Sequence, residues 1–122
     1  MGTSPRGTQI QATATTNSGS AITATLPGLY GSTTSIIGFD VTLGEAASAA
    51  TVIVTITGIV TADGSNTLNY VLSASTTGQG GASIRLPNAI PAAAGDTAIV
   101  VSLPAIGGGS AENAINVYGY QG

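Results

Sequence analysis

Charge is what this chain has least of. Only 6% of its 122 residues are charged, against about 25% in an ordinary soluble domain. It has no histidine, cysteine, lysine or tryptophan, and its two basic residues are Arg6 and Arg85. Without cysteine, disulfides and thiolate metal ligands are excluded. Without clustered Lys or Arg there is nothing to neutralise a phosphate backbone, and a net charge of -3 works against it. Nucleic acid is therefore not an expected partner. The same lack removes a polybasic membrane anchor. The most apolar stretch, AIPAAAGDTAIVVSLPAIG, is broken by Pro91, Asp96 and Pro104, so no membrane helix is expected either. The N-terminus MGTSPRGTQIQ shows no apolar run of signal-peptide type.

The missing residues also bear on catalysis. With no His, Cys or Lys, the usual bases and nucleophiles reduce to carboxylates, Ser, Thr and Tyr. A Ser-His-Asp arrangement is impossible. Glycoside hydrolysis needs two facing carboxylates, and the chain offers Asp40, Glu45, Asp63, Asp96 and Glu112. Asp40 alternates with apolar residues, and the others fall in expected loops. No enzyme activity, catalytic residue or cofactor is expected. Asp63-Gly64-Ser65-Asn66 offers oxygen atoms to a calcium ion, yet the same residues are what a β-turn uses. The turn reading is preferred, and no metal is assigned. Gly107-Gly108-Gly109-Ser110 lacks the lysine of a phosphate loop and reads as a sheet connection.

What the chain does have is period-2 alternation in residues rich in Val, Ile and Thr, with a mean hydropathy of +0.40. QIQATAT, SAITATL, TTSIIGFDVTL, TVIVTITGIV, TLNYVLSAS, ASIRLP, TAIVVSLP and NAINVYGY each read as a strand, parted by Gly, Asn, Asp and Pro clusters. In the third, Ile37, Phe39, Val41 and Leu43 are expected to share a face. About eight strands suit a jelly-roll-like antiparallel β-sandwich, with an immunoglobulin-like sandwich as the alternative. Residues 1–8 carry Pro5 and Gly7 and read as a flexible arm. Residues 9–122 read as one domain.

TVIVTITGIV is apolar on both faces, with Val52, Val54 and Ile56 on one and Ile53 on the other. Monomeric sheets blunt their edges with charge, especially Lys, and this chain has none to spare. Both features point to an obligate oligomer, whose interface resembles a domain core cut in half. Val52, Val54 and Ile56 are expected at that interface. Tyr118 and Tyr120, two apart on the last strand, are assigned to a subunit contact ahead of sugar stacking.

SIIGFDVTLGEAASAATVIVTITGIV and SIRLPNAIPAAAGDTAIVVSLPAIGGGSAENAINVYGYQ, following a short polar N-terminus, resemble small virion proteins of tailed phages. The likeness covers most of residues 30–122 and lies in strand texture. The resemblance implies a capsid decoration, or cement, protein: a jelly roll, commonly trimeric, made in the host cytoplasm and seated on the capsid surface between major capsid proteins. Arg6, Gln9 and Gln11 are the residues expected to meet the capsid from the arm. Two alternatives remain open at this point: a tail, neck or fibre component of a phage virion, and a glycan-binding β-sandwich module.

Overall fold

The computed structural model describes residues 8–16, 20–44, 50–60, 66–74, 80–106 and 113–122. They form β1 (Thr8–Thr16), β2 (Ile22–Leu26), β3 (Thr34–Leu43), β4 (Ala50–Thr57), β5 (Thr67–Ala74), β6 (Gly80–Pro91), β7 (Ile99–Leu103) and β8 (Asn113–Gln121).

Pairing is antiparallel and nested. β4 pairs with β5, β3 with β6, β2 with β7 and β1 with β8, as if one long hairpin had been rolled up. Rolling produces two four-stranded sheets, ordered β1-β8-β3-β6 and β2-β7-β4-β5. This is the jelly-roll order. An immunoglobulin sandwich keeps its first two strands in one sheet, whereas β1 and β2 here lie in different sheets. The two sheets adjoin where β1 meets β2 and where β5 meets β6.

Alternation sends one face of every strand between the sheets. Leu26, Phe39, Ile56, Ile99, Ile115 and Val117 are fully buried there. The Phe39 ring meets that of Tyr70 edge-on, with centroids 5.2 Å apart and planes at 68°. The Thr34 hydroxyl donates to the Pro27 carbonyl at 2.8 Å, and the Gly44 N–H donates to Asn113 Oδ1 at 3.0 Å, while the buried Asn113 Nδ2 has no hydrogen-bond acceptor among the described residues.

Three local expectations change. Ile36, not Ile37, is buried with Phe39, Val41 and Leu43. The register of β3 shifts between Ile36 and Gly38, and an extra residue at such a bulge reverses the phase of the alternation. β6 runs through Pro87 to Pro91, where the sequence suggested a turn. Proline is tolerated because β6 is an edge strand and residues 86–89 bulge opposite Ile37. Residues 1–7 of the expected arm, Arg6 among them, lie outside the described residues. Gln9 and Gln11 belong to β1 and are not arm residues, since Thr8 already pairs with Gln121.

Candidate interaction surfaces

Each sheet has an outer face, and the two faces differ in chemistry. On β1-β8-β3-β6 the outward residues form cross-strand rows. Gln9 stands opposite Tyr120, which stands opposite Ser35; Gln11 stands opposite Tyr118, which stands opposite Gly38. Asn116 lies beside Asp40, and Asp40 beside Ser83.

Asp40 is the hub of this face. It accepts from the Tyr118 hydroxyl at 2.8 Å, from the Ser83 hydroxyl, and from Arg85 Nη1 at 3.1 Å. Arg85 also donates to the Ile84 carbonyl at 3.0 Å, and its guanidinium carbon lies 4.9 Å from the centre of the Tyr118 ring. Gly38 makes this crossing possible. A Cβ there would meet the Ile84 carbonyl oxygen at 2.5 Å and Arg85 Cδ at 3.0 Å.

The Ser83 hydrogen bond, helped by those from Tyr118 and Arg85, holds the Asp40 carboxyl below its ordinary value of 3.8, against the opposing effect of burial. The hydrogen bond to Asp40, with burial and the nearby negative charge, raises the Tyr118 phenol above its ordinary value of 10.0. A carboxylate whose pKa is depressed by folding stabilises the native state above its unfolded value, and this contribution disappears as pH falls through the folded one. Asp40→Asn is therefore expected to lower the melting temperature at pH 7 and to lower it less at pH 2. Thermal melts across that range, wild type against variant, check this; equal losses at both pH values would leave Asp40 with no titrating role.

Among the described residues, the outer face of β2-β7-β4-β5 carries no charged side chain. Its outward residues are Thr23 and Thr25 on β2, Val100 and Ser102 on β7, Thr51, Ile53, Thr55 and Thr57 on β4, and Thr67, Asn69, Val71 and Ser73 on β5. The Thr55 hydroxyl donates to Asn69 Oδ1 at 3.2 Å. Ile53 and Val71 stand directly opposite each other, 49% and 65% exposed. Val100 is half-buried between Thr25 and Thr57. β5 is an edge strand without a charge or proline to blunt it.

Val52, Val54 and Ile56 are 7%, 0% and 0% exposed, inside the chain's own core. They cannot meet a second subunit, because the same alternation that makes them apolar turns them toward the opposite sheet. The residue of that strand left outside is Ile53, and its cross-strand neighbour Val71 joins it. Tyr118 and Tyr120 are half-buried on the outer face of the other sheet. Gln9 and Gln11, chosen for a different reason, lie next to them in register. The Asp40–Arg85–Tyr118 network was not anticipated, although the outward phase of Asp40 and Arg85 was the signal for it. Asp63, Gly64 and Ser65 of the candidate calcium turn, and Gly107–Ser110, lie outside the described residues.

Fold and faces together define a jelly-roll β-sandwich with one networked polar face and one uncharged face. No protein-family model matches the chain, and neither do curated proteins or solved structures.

Proposed function

We infer that this is a structural protein of a virus particle, of the kind that decorates and cements an assembled tailed-phage capsid, and that it works as an oligomer. The observation that carries the reading is the uncharged outer face of β2-β7-β4-β5, with Ile53 and Val71 exposed on it. An apolar pair on a face without charge, beside an unblunted sheet edge, is a surface suited to cover by other protein. The jelly roll is a fold that viral capsid proteins share with lectins, and the texture of the strands resembles phage virion proteins.

The mechanism is mass action. A protein that binds contacts present only in the assembled lattice stabilises that lattice over its free subunits. Several linked copies multiply weak contacts through effective concentration. In this reading Ile53 and Val71 take the interface role that the sequence suggested for Val52, Val54 and Ile56.

Light scattering after size exclusion, over a wide dilution range, is the test. The wild type is expected as an oligomer that persists on dilution, and Ile53→Asp/Val71→Asp as a folded monomer whose melting temperature is lower and no longer depends on protein concentration. The oligomer is then expected to co-sediment with expanded capsids. A wild-type monomer at all concentrations, or an oligomer indifferent to the double substitution, sinks the proposal.

A further inference from the structure

The face on the other side of the molecule has features that the assembly reading does not use. Gln-Ile-Gln on β1 lies against Tyr-Gly-Tyr on β8, so the pair Gln9–Tyr120 is repeated as Gln11–Tyr118. Alternate residues of a strand stand roughly 7 Å apart along it, and directly opposed residues about 5 Å apart across it. The result is a two-rung ladder of amide and phenol ring on a sheet face. Gln9 and Gln11 are exposed, and Asn116, opposite Thr13 and diagonal to Gln11, is half-buried. Among the described residues no hydrogen bond engages the side-chain amides of these three.

Beside the ladder, the second rung is held in place. The Tyr118 hydroxyl is tied to Asp40, and Arg85 lies against the ring. Nothing comparable exists on the opposite outer face. Among the described strand residues it carries no aromatic ring, and their one amide, Asn69, already accepts from Thr55.

We propose that the outer face of β1-β8-β3-β6 binds a neutral carbohydrate chain, with Gln9 and Gln11 bonding its hydroxyls and the tyrosine rings supporting its sugar units. Three features select that ligand class. A side-chain amide both donates and accepts, as a sugar hydroxyl does. A phenol ring offers an apolar face with a polar tip, matched to a ring that is itself apolar on its C–H side. The site repeats along the strand, which suits a ligand that repeats. Neutrality follows from the charge balance: Arg85, the only cation among the described residues, is paired with Asp40, and the chain as a whole carries -3. The inference is independent of the assembly proposal, which uses the opposite face.

Native affinity electrophoresis of the full chain tests it, with gels containing xylan, mixed-linkage β-glucan, galactomannan or soluble starch, and alginate as the anionic comparison. At least one neutral polysaccharide is expected to retard the wild type. Gln9→Ala/Gln11→Ala is expected to weaken that retardation at least tenfold without moving the melting curve, since both residues are exposed on the sheet surface. Tyr120→Ala is expected to weaken it as well. Overturning results are retardation by none of the four neutral polymers, retardation by alginate alone, or retardation that the double glutamine variant retains. If that variant instead fails to co-sediment with capsids and no glycan binds, the face is a protein contact and the carbohydrate proposal is wrong.

Discussion

Phe39→Ala is expected to destabilise the fold by about 3–5 kcal/mol, the usual cost of truncating a fully buried aromatic. Domains of this size are stable by only about 5–15 kcal/mol, so the variant loses a large part of its margin. Phe39 is 0% exposed on β3, a strand hydrogen-bonded on both sides, by β8 and by β6. Its ring spans the gap between the sheets to reach Tyr70 on β5. Truncation therefore removes an inter-sheet contact as well as filling. The loss of the edge-on pairing adds to the loss of burial, such pairs being worth about 0.5–1.5 kcal/mol. Urea denaturation of wild type and variant reads the difference. A large fall in the midpoint with an unchanged slope is the expected pattern; a midpoint within experimental error of the wild type would mean that the sheets close over the gap.

Gly119→Ala is expected to cost about 3 kcal/mol, toward the upper end of what overpacking a core costs. Gly119 lies on β8 between Tyr118 and Tyr120, with its bare side turned inward. A Cβ there would run into the Ser35 carbonyl oxygen, which is backbone and held by the β3–β8 ladder, and would meet Leu26 Cδ1 at 2.8 Å. Leu26 belongs to the other sheet and is itself fully buried. One methyl group thus presses on the hydrogen-bonded neighbour and on the facing sheet together. Gly95→Ala is the matched control, because a Cβ there comes no closer than 3.7 Å to the Ser32 carbonyl oxygen. Thermal melts of the two variants should separate clearly. If Gly119→Ala melts with Gly95→Ala and the wild type, the close approach at Gly119 is not rigid.

The architecture was legible because alternation was clean where both faces mattered. Leu68, Tyr70 and Leu72, and Ile99, Val101 and Leu103, turn inward as their spacing required. Alternation fails where an extra residue intervenes, which is why Ile36 and Ile37 exchanged roles at the β3 bulge. Two consecutive isoleucines leave the phase undetermined, and only the backbone register resolves it. Pro87 misled for a related reason: a proline reads as a break until its strand is known to lie at an edge. Apolarity read as a mark of contact with a partner points to Val52, Val54 and Ile56, which the structure buries. In a sandwich the longer apolar row faces the chain's own second sheet, and Ile53, the isoleucine out of phase with it, is the one left exposed. Asp40, Arg85 and Tyr118 could not be joined from sequence, since the Asp40–Arg85 and Asp40–Tyr118 contacts span 45 and 78 residues.

Nested pairing also sets the order in which this chain can find itself. Thr57 meets Thr67 across a short connection, whereas Thr8 meets Gln121 across nearly the whole chain. The entropy lost in closing a loop grows with its length, and such distant pairings slow folding. Once β4 and β5 are joined, however, β3 and β6 are held close, and their pairing in turn brings β2 toward β7 and β1 toward β8. Each step closes only the short connections on either side of the pair already formed. The rolled hairpin is thus expected to close as a zipper, outward from the β4–β5 connection, with the glutamine and tyrosine strands fastened last.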